Sequence, residues 1–139
     1  MEEAEIVRIE RTLGYSLPGE YRYFLWRHTD EVREIGELIE FRAVLWTDAN
    51  DIIAGNSDLD KQADDMLVGD EPWPNTFFLV GTNGGGDYWF VDRTGTKRGV
   101  WFWQHEAQKI EEKHDSFEDY MEALRSDARD PKKWQGPFG

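Results

Sequence analysis

Three histidines are the first residues whose chemistry could define a site. Imidazole is a common zinc ligand, and His105-Glu106 matches the start of the metalloprotease pattern, in which two histidines lie one helical turn apart. The second histidine of that pattern would fall at position 109, which is Lys109. His28 and His114 stand in no such spacing. We therefore predict surface or capping roles for the histidines, and neither a metal site nor another cofactor.

A run of three glycines occurs at Asn83-Gly84-Gly85-Gly86. Glycine-rich loops cradle phosphate when they open into a helix N-terminus and a lysine and a hydroxyl follow. Here the run opens instead into Asp87 and an aromatic segment. We predict a tight turn between two strands, because glycine readily takes the positive φ angles that such turns need.

Three carboxylates, Asp87, Asp92 and Glu106, lie near the ends of predicted strands, and paired carboxylates perform acid and base catalysis in glycosidases. A small hydrolase using them would need an enclosed pocket and a carboxyl group of raised pKa. Aspartates at strand ends usually satisfy turns, and no serine stands in a nucleophile-elbow pattern. We predict that the chain is not an enzyme. A small hydrolase is kept as the last of three functional hypotheses, after the two protein-binding functions given below.

The chain is strongly acidic, with 29 acidic and 16 basic residues and a formal net charge of -13, and its acidic residues are most concentrated in one segment. A negative potential repels nucleic acid and anionic lipid, and it accelerates encounters with basic proteins. Acidity that only maintains solubility, on an ordinary solvated face, is the alternative. We predict that a basic partner protein, and neither nucleic acid nor a membrane, binds the densest acidic group: Asp58, Asp60, Asp64, Asp65, Asp70 and Glu71.

The size and composition of the chain indicate one domain with its own core. Its 139 residues suffice for one core, and seven tryptophans, eight phenylalanines and five tyrosines argue against disorder. The chain has no cysteine, which fits a reducing compartment and excludes a disulfide framework. An acidic N-terminus and the lack of a long apolar run lead us to expect a cytoplasmic protein.

The elements that must position these residues follow from apolar spacing. Intervals of three and four predict a helix over residues 2–13, ended by Gly14, and a second helix that begins after Pro18 and runs to about His28. A partly alternating pattern predicts a strand over residues 34–46, after a turn at Gly36. Residues 48–51 have the composition of a helix start.

Three strands and a last helix complete the predicted order. Residues 76–81 predict a buried strand that forms a hairpin with residues 87–92, and residues 99–105 add a third strand. Asp115 and Ser116 predict the cap of a helix that runs to about Ala128. The predicted class is α+β, with a central antiparallel-rich sheet and helices from both ends of the chain. The aromatic residues of the strands outnumber what one sheet face can bury, and we expect a helix to cover the second face.

In this order and spacing the motifs resemble the SUKH superfamily, over nearly the whole domain. Its members include a fungal cell-wall assembly regulator and bacterial immunity proteins encoded beside secreted polymorphic toxins. The resemblance implies an α+β fold over residues 1–129. Pro131 and Pro137 predict a loosely held tail at residues 130–139. The resemblance rests on packing, turn and cap positions rather than on a catalytic set: Leu17, Pro18, Tyr21, Phe24, Leu25, Gly86, Asp87, Asp92, Trp103 and Phe117.

The resemblance implies a protein-binding function. The first hypothesis is an immunity protein that occludes a cognate toxin domain, such as a basic nuclease. The second is a non-catalytic scaffold of a regulatory complex. Residues 47–75 match nothing in the family pattern, so this stretch is either the element that confers partner specificity or a tolerated insertion.

Overall fold

The computed structural model describes residues 1–38, 44–62 and 65–129, without the side chains of residues 60 and 61. Its elements follow one another from N- to C-terminus. They are α1 (Glu3–Leu13), α2 (Gly19–Leu38), α3 (Ala49–Ser57), α4 (Leu59–Gln62), β1 (Leu67–Val68), β2 (Glu71–Pro72), β3 (Phe77–Thr82), β4 (Tyr88–Asp92), β5 (Val100–Gln104), β6 (Lys109–His114) and α5 (Phe117–Arg129). The predicted α+β single domain is confirmed.

The sheet is an antiparallel meander in the order β3-β4-β5-β6. Strands that are adjacent in sequence pair with each other, as expected for connections of this length. β1 and β2 form a separate two-stranded hairpin, in which Val68 pairs with Glu71. The predicted strands at residues 76–81, 87–92 and 99–105 are confirmed within one or two residues. The sequence reading missed β6, because Ile110 is the one apolar residue in this charged edge strand.

The corner between the first two helices is fixed by Glu10. Gly14 ends α1 with a φ of 86° and its backbone N–H bonds the Glu10 carbonyl. The Glu10 carboxylate accepts the Leu17 N–H at 2.7 Å and the Arg22 Nε at 3.1 Å. The hydrogen bond from Arg22 lowers the pKa of Glu10. Burial acts to raise this pKa, but the Leu17 N–H and the charge of Arg22 also lower it, so the net shift is downward. α2 therefore starts at a defined angle to α1.

α2 is longer than predicted, and the strand predicted over residues 34–46 is wrong for the residues described. The helix runs to Leu38, and Val32 and Ile35 continue the buried face that carries His28. Gly36, interpreted as a turn, lies inside the helix, where glycine costs only about 1 kcal/mol. Residues 39–43 of the predicted strand lie outside the described residues. Leu45 forms a single bridge to Gly81.

Side chains of the sheet alternate between two cores. The first core lies under the helices and contains Phe78, Val80, Val91 and Val100 together with the buried faces of α1, α2, α3 and α5. The second lies on the opposite face and contains Phe77, Leu79, Phe90 and Trp103. The period of two in a strand accounts for this division.

The second face is covered by the chain between α3 and β3. Met66 and Trp73 from this stretch are buried against the sheet, and Leu59 and Val68 pack beside them. Trp73 meets Phe77, Phe90 and Trp103 edge-on, with ring centroids 5.3, 5.1 and 5.9 Å away. The second face is thus covered as expected, but mainly by a hairpin and loops rather than by a helix.

Both outer strands have their edges partly satisfied. On β3, the Asn56 side chain accepts the Leu79 N–H and donates to the Leu79 carbonyl, both at 2.9 Å, while Trp46 N donates to Val80 O at 2.9 Å. On the other side, Gly69 N donates to Gln108 O at 2.7 Å and ties the β1–β2 hairpin to the β5–β6 turn. Such coverage limits unwanted strand pairing.

The last helix begins where the sequence predicts. Ser116 Oγ accepts the Asp119 N–H at 3.1 Å, and Glu20 of α2 accepts the Phe117 N–H at 3.1 Å. The Asp48 cap of α3 is also confirmed, because its side chain accepts the Asn50 N–H at 2.8 Å. The predicted tail at residues 130–139 lies outside the described residues. Within the described ranges, no helix is both long and apolar enough to cross a bilayer.

Candidate protein-binding surface

Four members of the predicted acidic group are described, and they lie in the stretch between α3 and β3. Asp58, Asp65, Asp70 and Glu71 are exposed. The side chain of Asp60 and the whole of Asp64 lie outside the described residues. Met66 and Trp73 in this stretch are buried against the sheet, whereas the acidic residues near them in sequence are exposed to solvent. We call the four described carboxylates the acidic surface.

Two local features shape the acidic surface. Asp70 and Glu71 lie at the tip of the β1–β2 hairpin, which the bond from Gly69 N to Gln108 O holds against the β5–β6 turn. Glu106, exposed in that turn, adds a further carboxylate nearby. Asp58 lies after α3 and lines an open groove of about 290 Å³ with Trp46 and Tyr88.

Asp87 accepts hydrogen bonds from His105 and Asn83. Its Oδ1 accepts the His105 backbone N–H at 2.9 Å and the His105 Nδ1 at 2.7 Å, and its Oδ2 accepts Asn83 Nδ2 at 3.0 Å. Burial acts to raise the pKa of Asp87, but the hydrogen bonds from His105 and Asn83 outweigh it and the pKa is lowered. Gly86, with a φ of 97°, passes close to the imidazole, where a Cβ would lie 3.2 Å from Nδ1.

Asp92 organises the next turn. Its carboxylate accepts the backbone N–H and hydroxyl of Thr94 at 2.9 and 2.7 Å, and the Lys97 N–H at 3.1 Å. Burial raises its pKa, and the bonds from Thr94 and Lys97 lower it by more. Asp87 and Asp92 flank β4 at its two ends, roughly 16 Å apart at 3.3 Å per residue. A general acid at neutral pH needs a raised pKa, so neither carboxyl is tuned for that role.

The histidines have local partners. Nε2 of the buried His28 lies 2.8 Å from Glu118 Oε1, and the His114 ring contacts Tyr120 edge-on at 5.4 Å. Among the described residues, no group of three or more His, Cys, Asp or Glu side chains is arranged to hold a metal ion.

The residues of the family pattern hold the fold together. Tyr21 and Phe24 stack near Phe117, at ring-centroid distances of 5.4 and 4.8 Å from it. Trp103 donates its indole N–H to the Leu67 carbonyl at 2.7 Å, which joins β5 to the covering hairpin. Other residues of the pattern are buried: Leu17, Leu25 and Asp92. Pro18 lies near Tyr21 and Phe117, and Gly86 and Asp87 belong to the strand-end contact with His105 described above.

A second exposed feature was missed by the sequence interpretation. Tyr23 and Trp26 of α2 are 52% and 57% exposed, and their ring centroids lie 6.1 Å apart. The signal was present in the sequence, because a helix that buries Tyr21, Phe24 and Leu25 turns residues 23 and 26 outward. The number of apolar residues in this segment concealed the fact that two aromatics lie on the polar side.

Comparison with known proteins identifies the family. Neither the curated proteins nor the solved structures contain a match to the chain. A family model, described as SMI1 / KNR4 family (SUKH-1), matches residues 1–123. This match spans every element from α1 to most of α5, including the segment that sequence motifs alone left unaligned. The chain therefore belongs to the SMI1/KNR4 family of the SUKH superfamily.

Proposed function

We propose that the protein is an immunity protein that binds a cognate toxin domain and neutralises it by occlusion. The toxin is a basic protein, such as a nuclease whose active site is built to receive phosphate. The observation that carries the proposal is a chain of net charge -13 with exposed carboxylates at Asp58, Asp65, Asp70 and Glu71. The membership in a family with immunity and regulatory proteins supports it.

The acidic surface is suited to this role by its exposure and its support. Asp70 and Glu71 are presented by a hairpin that is bonded to the β5–β6 turn and to Trp103, so binding orders little further chain. A negative surface facing a positive one raises the association rate by 10-fold to 1,000-fold in favourable cases. Carboxylates that mimic phosphate would also fill the substrate path of a nuclease.

A non-catalytic role is part of the proposal. Asp87 and Asp92 are engaged by turns, and each has a lowered pKa. Glu106 is exposed in a turn rather than enclosed. Their hydrogen bonds assign these groups to strand ends and loops, which leaves binding as the function that the geometry supports best.

The test is the association rate with a toxin domain encoded by the neighbouring gene, measured at about 0.1 M and about 1 M salt, where the Debye length falls from ~10 Å to ~3 Å. We expect tight binding whose association rate drops at high salt. Neutralising Asp70 and Glu71 to Asn and Gln should lower that rate several-fold at low salt only. The matched control neutralises Glu2 and Glu5, which are exposed at the N-terminal end of α1.

Two outcomes would contradict the proposal. Lack of binding to any toxin-like neighbour, with recovery of a stable multi-protein regulatory complex instead, would favour the scaffold hypothesis. Binding whose rate is insensitive to salt and to both double substitutions would remove the electrostatic mechanism and leave occlusion without it.

A further inference from the structure

α2 carries the most exposed aromatic pair of the described residues on its solvent side. Tyr23 and Trp26 lie on the solvent side of α2, because residues 21, 24, 25, 28 and 32 face the core. Exposed Trp and Tyr are the side chains most enriched at the energetic centres of protein interfaces. Burying such a pair in a complex would remove from water the apolar surface that folding leaves exposed, and this favours binding.

Tyr23 of this pair is connected to the carboxylate of Glu118 through the His28 ring. The Tyr23 ring meets the His28 ring edge-on at 5.9 Å, and His28 Nε2 lies 2.8 Å from Glu118 Oε1. The Glu118 side chain is 60% exposed, so it stays accessible to a partner although Oε1 contacts His28. Next to it, Glu31 is bonded to Arg125, which also pairs with Glu122.

The charge of these two helices is negative overall. Residues 19–38 and 117–129 together contain nine acidic and five basic residues. Arg22 and Arg125, two of the basic ones, are already bonded to carboxylates within the chain. The excess of acidic residues on these two helices favours a cationic partner. We call Tyr23, Trp26 and Glu118 the aromatic surface.

We propose that the aromatic surface docks an arginine-bearing segment of the partner protein. Arginine is the side chain that suits both the aromatic rings and the carboxylate. The face of its guanidinium stacks on a ring, and its N–H groups pair with a carboxylate in the plane of the guanidinium. Glu118, already oriented by His28, loses little side-chain entropy on binding. The inference rests on the proposed function for the identity of the partner, and it places part of the contact outside the acidic surface.

The probe is a short peptide with four arginines separated by Gly-Ser, titrated into the full chain and followed by proton–nitrogen NMR. The Trp26 indole signal is assigned with Trp26→Phe. We expect the Trp26 indole and the Glu118 amide to shift more than the amides of residues 65–71. A peptide with citrulline in place of arginine, of equal shape without charge, should cause no such shift.

Substitutions test the same contact. Trp26→Ala should weaken binding of the arginine peptide about threefold to fivefold, the magnitude of an exposed cation–π contact, whereas Trp26→Phe should retain most of it. Leu38→Ala is the matched control, since Leu38 is the other strongly exposed apolar residue of α2, at 73%. The melting temperature of each variant shows that the fold is intact.

The inference is overturned if the peptide shifts only residues of the acidic surface, if it fails to bind, or if Trp26→Ala binds it as tightly as the wild-type chain. These outcomes are separate from failure of the proposed function, which is shown by a toxin domain that does not bind the wild-type chain. When a toxin does bind, Trp26→Ala and the Asp70/Glu71 double variant report separately on the two surfaces.

Discussion

Asp87 holds His105 at two points, accepting the backbone N–H at 2.9 Å and the ring Nδ1 at 2.7 Å through one oxygen. The first residue before β4 is thereby fastened to the first residue after β5. Because β4 and β5 are neighbours, this pair closes the open end of the hairpin between them. An aspartate and a histidine that would suggest catalysis in a sequence thus form a strand-end clasp.

We predict that Asp87→Ala lowers the free energy of unfolding by about 2 kcal/mol, because three donors lose a charged acceptor in a mostly buried position. Urea denaturation measures the change. His105→Ala should cost less, since it keeps the backbone donor. Glu106→Ala is the control, as an exposed carboxylate in the adjoining turn, and an equal loss in that variant would refute the specific role of Asp87.

Acid should destabilise the protein through Asp87 and Asp92. Both carboxyls have a folded pKa below their ordinary value of 3.8, so the unfolded chain takes up protons first as the pH falls. Their stabilisation is present above that value and is lost as the pH drops through the folded pKa. The Asp87→Asn, Asp92→Asn double variant should therefore be less stable than wild type near neutral pH and converge with it at low pH, as urea unfolding at several pH values would show. Parallel curves at all pH values would contradict this prediction.

Two tryptophans should differ sharply in their effect on stability. Trp73 is buried against Phe77, Phe90 and Trp103, and Trp73→Ala should cost about 3–5 kcal/mol by leaving a cavity in the second core. Trp26 is 57% exposed, and Trp26→Ala should change stability by about 0.5 kcal/mol or less. Chemical denaturation of both variants measures the contrast, and similar losses would show that the hairpin stretch does not seal the sheet.

Asn56 should be a single-residue determinant of the β3 edge. Its amide bonds both backbone groups of Leu79 and also donates to the Ile52 carbonyl at 2.9 Å. Asn56→Ala removes both the donor and the acceptor and leaves the Leu79 N–H and two buried carbonyls without this partner, so we expect a loss of about 2–3 kcal/mol. Hydrogen exchange at the Leu79 amide measures the local effect and should accelerate. Exchange that is unchanged while global stability falls would place the role of Asn56 elsewhere.

The sequence predicted the parts of the fold whose signals are local. The three middle strands carry dense aromatic and branched residues, and α3 and α5 have caps at Asp48 and Ser116 that the structure confirms. The sequence does not predict the continuation of α2 past His28, because Gly36 is typical of a turn, whereas packing of Val32 and Ile35 outweighs the modest cost of glycine in the helix. β6 was missed because an edge strand need not be apolar.

The candidate site was less predictable, because exposure depends on long-range packing. The acidic group was visible as a run of charges, but its position outside Met66 and Trp73 required the path of the chain across the sheet. Asp87 and His105, 18 residues apart, form a pair only once β4 and β5 are aligned. Tyr23 and Trp26 could have been found by extending the helical phase of α2 to its outer side.

The stretch from Leu59 to Trp73 has two sides under different physical demands. Its inward residues, Met66 and Trp73, are constrained by the shape of the aromatic face that they cover. Its outward residues, among them Asp65, Asp70 and Glu71, are exposed and can exchange charge or size at little cost to stability. Selection can therefore rewrite the outer composition by single substitutions while the inner positions stay fixed. Divergence of recognition on this scaffold needs no change of architecture.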